Sequence, residues 1–137
     1  MNLRAKAAAA LLTTGIAASA LVAVPGTAAA DSAKDCPKGA ICFYSGPNQS
    51  GKLKKKVWAN WSGSLTGIRS YFNNGKPQPG LDHVQLKYSY WVHGHYRSVS
   101  QCVHYGASEG KGNIGYANDD HGYSNATVKG VKWRGEC

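Results

Sequence analysis

The chain has 137 residues, of which 42% are hydrophobic and 17% charged, and it contains 17 glycines and 4 cysteines. Its formal charge of +9 at pH 7 favours encounter with anionic partners, such as cell-wall polymers, membrane surfaces, nucleic acid or an acidic protease, without choosing among them. Only 7 carboxylates are present, and there is no Gly-x-Ser-x-Gly elbow, His-Glu-x-x-His motif or phosphate-binding loop, so we do not expect an enzyme.

The N-terminal segment has the layout of a secretory signal peptide. Arg4 and Lys6 precede a run of mostly apolar residues from 7 to 24, and Pro25 ends that run. Three alanines follow, the last of them Ala30, and small residues of this kind suit a signal peptidase. Cleavage after Ala30 is therefore expected.

A membrane anchor is the alternative reading of the same segment. The apolar run falls short of the roughly 20 residues that a spanning helix needs, and polar residues and a glycine interrupt it at 13–15. We therefore predict a signal peptide over 1–30, one domain over 31–137, an extracellular location and no membrane span. Nucleic acid is not an expected partner of an exported protein.

All four cysteines lie in the predicted mature part, an even number that is typical of two disulfides in an exported chain. Three pairings are possible. We favour Cys36 with Cys42, which bracket a Pro-Lys-Gly turn, and Cys102 with Cys137, which would tie the C-terminus to a strand. Zinc ligation by four thiolates fits poorly because no Cys-x-x-Cys pair exists.

The mature chain reads as a series of short strands. Glycine and proline recur every few residues, Asn74-Gly75 and Pro79-Gly80 suggest turns, and no window keeps a helical apolar period. The predicted strands cover 41–44, 53–58, 67–72, 84–92, 96–103 and 128–133. Six or more short strands imply a sandwich or a barrel. In 84–92 the apolar residues alternate with mostly polar ones, which makes this the clearest strand.

The densest basic patch lies on the second predicted strand and comprises Lys52, Lys54, Lys55 and Lys56. Alternation would direct Lys52, Lys54 and Lys56 to one face, with Lys55 on the other. Lysines on an edge strand commonly prevent sheet-to-sheet aggregation, and this is one reading of the patch. The other is a dedicated site for anions.

Histidines and a polar turn raise the question of metal binding. His93 and His95 would share a strand face and could form a zinc site with His104, although each could equally be a surface residue. Residues 118–124 partly resemble the calcium signature of crystallins, but Tyr123 stands where serine or threonine is usual. We predict neither metal nor cofactor and interpret the segment as a solvated turn.

Two halves of the chain show a weak repeat. Tyr44 is followed seven residues later by Gly51, and Tyr105 is followed likewise by Gly112. Cys42 and Cys102 lie 60 residues apart. The pattern predicts two related β-motifs, each with a folded hairpin in which a tyrosine ring packs over a glycine.

This pattern resembles the βγ-crystallin Greek-key motif, with a later stretch like Gly67-Ile68-Arg69-Ser70. The opening from Cys36 to Ser45-Gly46, continuing to Ser50-Gly51, is similar to the streptomycete metalloproteinase inhibitor family, peptidase inhibitor family 36. The resemblance implies an all-β, crystallin-like Greek-key sandwich of two related motifs. It also implies a secreted inhibitor of peptidases, with thermolysin-like zinc metalloproteases as the extracellular targets.

The family's inhibitory loop presents a Cys-Val bond, which Cys102-Val103 matches here. By this resemblance the inhibitory segment comprises Gln101, Cys102, Val103, His104 and Tyr105. The family closes its loop with a second cysteine soon after the valine, whereas the next cysteine here is Cys137. The alternative is that Cys102 belongs to the scaffold and Val103 to the core.

A second class of function stays open on the basis of charge. The protein would then be a cationic extracellular binding or antimicrobial module, using Lys52 to Lys56 against anionic cell-envelope polymers. Salt separates the two classes, since charge-driven binding weakens with ionic strength whereas inhibition by a shaped loop persists.

Overall fold

The computed structural model describes residues 35–78, 81–115, 117–118 and 122–137. The predicted signal peptide and the Pro79-Gly80 turn lie outside this range. Within it, the chain forms ten strands and one helical turn: β1 Ala40–Tyr44, β2 Leu53–Val57, β3 Trp61–Ile68, β4 Ser70–Asn74, β5 His83–Val92, β6 His95–Val103, α1 Gly106–Glu109, β7 Lys111–Asn113, β8 Ala117–Asn118, β9 Gly122–Tyr123 and β10 Ala126–Arg134. None of the helices in the described residues is long and apolar enough to cross a membrane.

Two four-stranded antiparallel sheets make up the fold. The first sheet has the order β2-β1-β4-β7 and the second β3-β10-β5-β6, while β8 and β9 pair separately. Each large sheet takes three strands from one half of the chain and one from the other, because β3 and β7 exchange sheets. The all-β prediction is confirmed, and the exchange is compatible with a Greek-key sandwich of two related motifs.

The predicted strand over 67–72 is wrong in one respect, since it is two strands. β3 ends at Ile68, Arg69 intervenes, and β4 begins at Ser70 in the other sheet. The Arg69 backbone remains paired through the crossing: its N–H donates to the Tyr44 carbonyl at 2.9 Å and its carbonyl accepts from Ile114 at 2.9 Å. Because only Arg69 separates β3 from β4, the two strands resemble one continuous strand in the sequence.

The main core fills the space between the two sheets. Its buried members are Ile41, Phe43, Val57, Ile68, Tyr71, Val84, Leu86, Tyr88, Val103, Ile114, Ala126, Val128 and Val131. The predicted alternation of β5 is confirmed, because Val84, Leu86 and Tyr88 are buried whereas Lys87 and Trp91 are exposed. A smaller cluster of Cys36, Ala40, Cys42, Tyr44 and Phe72 also forms. All five β1 residues are therefore buried.

Both disulfides have the favoured pairing. Cys36 bonds to Cys42 with Cα atoms 5.8 Å apart, and Cys102 bonds to Cys137 with Cα atoms 5.6 Å apart. No cysteine is free. The first bridge lies in the smaller cluster, and the second joins β6 to the segment after β10.

The two tyrosine-glycine hairpins differ from the prediction. The turn after Tyr44 is closed by backbone hydrogen bonds from Ser45 to Lys52 and from Gly46 to Ser50, both at 3.0 Å, and Gly51 has φ +71°. A Cβ on Gly51 would meet Ser45 and Gly46 rather than a tyrosine ring.

In the second motif the ring over the glycine is that of Tyr71, the cross-strand partner of Gly112, and not that of Tyr105. A helical turn replaces the hairpin between Tyr105 and β7. In sheet order β1 corresponds to β5, so Cys42 of β1 and Cys102 of β6 are not equivalent positions. The 60-residue spacing between Cys42 and Cys102 therefore does not reflect the structural repeat.

Candidate functional site

The segment from Gln101 to Tyr105 lies where the edge strand β6 ends. Gln101, Cys102 and Val103 are its last residues, and they pair with Leu86, Gln85 and Val84 of β5. His104 and Tyr105 then lead into α1. One face of this segment consequently packs on the sandwich, and the other meets solvent.

The Val103 side chain belongs to the core. It is 2% exposed and packs in the main cluster. The alternative drawn from the sequence, that Cys102 is a scaffold cysteine and Val103 a core residue, is what the structure shows. A subsite of a protease cannot receive the Val103 side chain in this conformation.

Other members of the segment are accessible. The His104 side chain is 48% exposed, whereas Gln101, Cys102 and Tyr105 are half-buried. The Gln101 amide donates to the Tyr71 hydroxyl at 3.2 Å and accepts from the Tyr88 hydroxyl at 3.4 Å. His104 is therefore the most exposed side chain of the segment.

Asn73 braces this segment from the opposite sheet. Its fully buried side-chain amide donates to the carbonyls of His104 at 2.9 Å, Val103 at 3.5 Å and Asp82 at 3.0 Å. Its side-chain oxygen accepts from Gly75 at 3.1 Å. This residue of β4 fixes the backbone at Asp82 and His104, although no disulfide closes the loop locally.

The prediction of a turn at Asn74-Gly75 is wrong. β4 ends at Asn74, and residues 75–78 belong to no helix, strand or turn. A Cβ on Gly75 would lie 2.8 Å from the Asp82 carbonyl and 3.3 Å from Tyr105. Close packing, rather than a hairpin, accounts for glycine here.

His104 belongs to a group of ionisable side chains, which we term the histidine cluster. It comprises Asp82, His83, His104, Glu109 and Glu136. His83 Nδ1 lies 2.7 Å from Asp82 Oδ1, and His83 Nε2 lies 3.0 Å from His104 Nδ1. Glu136 Oε2 is 3.6 Å from His83 Nε2, and Glu109 Oε2 is 3.9 Å from His104 Nδ1.

The inner half of the histidine cluster is buried. Asp82 and His83 are 5% and 2% exposed. Burial disfavours the Asp82 carboxylate, but hydrogen bonds from His83 and the backbone more than offset this, so the pKa of Asp82 is lowered. Asp82 therefore stays ionised and accepts a hydrogen bond from His83 Nδ1.

The structure does not assemble the three histidines weighed from the sequence. His93 and Gly94 form the β5–β6 turn with positive φ at both positions, as a type I′ hairpin requires, and His95 starts β6. His104 follows the other end of that strand, roughly 30 Å away at about 3.3 Å per residue. His83, which sequence reasoning missed, is the histidine that joins His104.

The basic patch occupies the edge strand β2, as one reading of the sequence predicts. Lys52, Lys54 and Lys56 are exposed, whereas Lys55 is half-buried and its Nζ lies 5.0 Å from the centre of the Trp61 ring. Alternation thus directs three of the four charges outward. Of the calcium-like segment, residues 119–121 lie outside the described part of the chain.

Comparison with known protein families gives a match over part of the chain. The model of peptidase inhibitor family I36 matches residues 29–80, which contain β1 to β4. No match was found among curated proteins or among solved structures. The matched family is one of peptidase inhibitors, and two disulfides are typical of extracellular proteins.

The matched residues stop before the segment from Gln101 to Tyr105. They include the opening from Cys36 to Gly51, on which the resemblance to inhibitor family 36 depends. The predicted resemblance is therefore confirmed: over residues 29–80 the chain is similar to peptidase inhibitor family I36.

Proposed function

We propose that the protein is a secreted inhibitor of peptidases and that its targets are zinc metallopeptidases. The match of residues 29–80 to peptidase inhibitor family I36 is the observation that carries the proposal. A small sandwich with two disulfides also suits the task, because an inhibitor that is already ordered loses little conformational entropy on binding.

Export is part of the proposal. Residues 1–30 would act as the signal peptide and residues 31–137 would form the released domain. Two disulfides fit an oxidising compartment.

We further propose that the segment from Gln101 to Tyr105 contributes to the protease contact through its exposed groups. His104 would make the contact, with Gln101 and Tyr105 beside it. Val103 and Cys102 would act indirectly by anchoring the backbone in the core and in the second disulfide. Asn73 would provide the rigidity that the family obtains from a second nearby cysteine.

A protease panel tests the proposal. The purified protein is assayed at micromolar concentration against zinc, serine, cysteine and aspartic proteases. We expect inhibition of thermolysin-like zinc enzymes that persists at high salt, because a shaped contact is screened less than a purely electrostatic one. Inhibition of no protease would contradict the proposal, and salt-sensitive binding to anionic envelope polymers would then favour the cationic module.

His104→Ala tests the contact surface. Loss of a central interface side chain commonly costs more than 1 kcal/mol, so we expect the inhibition constant to rise at least about fivefold. Tyr96→Ala is the matched control, since Tyr96 is 71% exposed at the far end of the sheet. Equal inhibition by His104→Ala and the wild type would remove His104 from the contact. Val103→Asp is unsuitable here because it buries an unpaired charge and unfolds the domain.

A further inference from the structure

The histidine cluster has the composition of a metal site. His83 and His104 each direct a ring nitrogen at the other across 3.0 Å, and one carboxylate lies beside each ring. These groups come from the start of β5, the end of β6, α1 and the segment after β10. Nothing in the predicted inhibitory activity requires such a convergence.

We propose that His83 Nε2 and His104 Nδ1, with the carboxylate of Glu136, bind a divalent transition-metal ion, with zinc as the expected occupant. Two imidazoles and a carboxylate form a common ligand set for zinc, and nitrogen donors disfavour calcium and magnesium. Glu109 is placed to supply a fourth ligand from the His104 side. A water molecule is the alternative fourth ligand.

The two imidazoles need only a small separation, together with a turn of both rings that directs their lone pairs at one ion. Glu136 must rotate toward His104, because the ligand atoms of His83, His104 and Glu136 do not all lie within 4.8 Å of one another. Two nitrogens bound tetrahedrally at about 2.0–2.1 Å from zinc are roughly 3.4 Å apart, so the rings must separate by only about 0.4 Å. Glu136 Oε2 is already 3.6 Å from His83 Nε2. The side chains of Glu136 and Glu109 are 87% and 70% exposed, which leaves both free to rotate toward an ion.

Asp82 prepares His83 for this role. Because Asp82 accepts the hydrogen bond of His83 Nδ1, neutral His83 carries its proton there and presents a bare lone pair on Nε2. A carboxylate behind a ligating histidine is the usual arrangement in zinc proteins. In the metal-free form His104 Nδ1 then donates to His83 Nε2, and metal binding moves that proton to His104 Nε2 or to solvent.

The second disulfide places Glu136. It joins Cys137 to Cys102, two residues before His104, so the residue preceding Cys137 is held beside the His83 ring. The oxidised sulfur of Cys137 also lies within 4.8 Å of the ring nitrogens, but a disulfide sulfur is not a thiolate ligand. The proposed ligands are therefore the two imidazoles and the carboxylates.

Isothermal titration calorimetry of the purified protein with Zn²⁺ alone tests the proposal. We expect one saturable site, and Co²⁺ in its place should give the intense visible absorption of a tetrahedral complex. His104→Ala and Glu136→Gln should each weaken binding at least tenfold, and Asp82→Asn should weaken it about 10- to 100-fold through loss of the orienting carboxylate. His93→Ala and His95→Ala are matched controls outside the histidine cluster.

Absence of saturable Zn²⁺ binding to the wild type would overturn the proposal. So would wild-type affinity in His104→Ala, whose exposed position leaves the fold intact even where His83→Ala does not fold. Loss of binding in His93→Ala would assign the ion to the hairpin instead. No protease is present in these titrations, so their result is independent of the proposed inhibition.

Discussion

At the scale of single residues, Asn73 links the two sheets through its side chain. Its amide reaches the backbone of Asp82, just before β5, and of His104, just after β6. Its oxygen accepts from Gly75, and its own backbone N–H donates to the Gly110 carbonyl at 2.7 Å. The side chain is fully buried, so water cannot replace these bonds. Asn73 therefore couples the core to the candidate contact segment.

We expect Asn73→Ala to destabilise the protein by about 2–4 kcal/mol, because it leaves buried carbonyls and one N–H unpaired. Urea denaturation measures the change. Asn74→Ala is the control, since Asn74 is half-buried and its side chain makes two hydrogen bonds, to the Cys36 carbonyl at 2.8 Å and from Lys38 Nζ at 3.2 Å. Equal losses of unfolding free energy in the two variants would show that the Asn73 side-chain hydrogen bonds contribute nothing specific.

At the scale of elements, the exchanged strand β7 depends on a close contact with β4. Gly112 faces Tyr71, whose ring is 7% exposed and whose hydroxyl accepts from Gln101. A Cβ on Gly112 would lie 2.6 Å from Tyr71 Cζ. Glycine is required at position 112 because the Tyr71 ring lies so close, and not because of its backbone conformation, since its φ is not positive.

Gly112→Ala should therefore cost about 1–3 kcal/mol, the usual cost of overpacking a buried site, and should weaken protection of β7 amides from hydrogen exchange. Gly130→Ala in β10 is the matched control, because a Cβ there would meet only the Trp61 carbonyl at 3.4 Å. We expect its effect to stay below about 1 kcal/mol. A larger loss from Gly130→Ala than from Gly112→Ala would contradict this account of the contact.

At the scale of the whole molecule, buried tyrosines make stability depend on alkaline pH. Burial, assisted by the charge of Asp35, raises the pKa of Tyr44 to about 12, and burial with the neighbouring Tyr90 and Tyr71 raises the pKa of Tyr88 to about 12. Unfolded tyrosine titrates near pH 10. Between these values the folded state binds more protons than the unfolded state, so the free energy of unfolding falls as pH rises.

We expect the contribution of the two tyrosines to the free energy of unfolding to be constant below pH about 10 and to decline from there to pH about 12. Urea denaturation across this range measures the slope. Tyr44→Phe should reduce the slope and should cost little at neutral pH, because the buried Tyr44 hydroxyl has no hydrogen-bond partner. Tyr96→Phe, at an exposed position, serves as the control. An unchanged slope in Tyr44→Phe would refute the assignment.

The sequence by itself determined features that depend on neighbouring residues. The alternation of β5 follows from a half-buried strand, the Cys36–Cys42 bridge from a short turn, and the all-β class from short runs separated by glycine and proline. The lysines of β2 indicated an edge strand because unpaired strand edges need charge. In each case the physical cause lies within a few residues.

Only the tertiary structure decided what depends on distant segments. Strand exchange separates Ile68 from Ser70 into different sheets and places Tyr71 over Gly112. The register of β5 and β6 buries Val103 against Val84, and it brings His83 to His104 across 21 positions of sequence. Sequence patterns report which face of a strand is apolar, but side-chain convergence depends on register and strand order, which long-range packing selects.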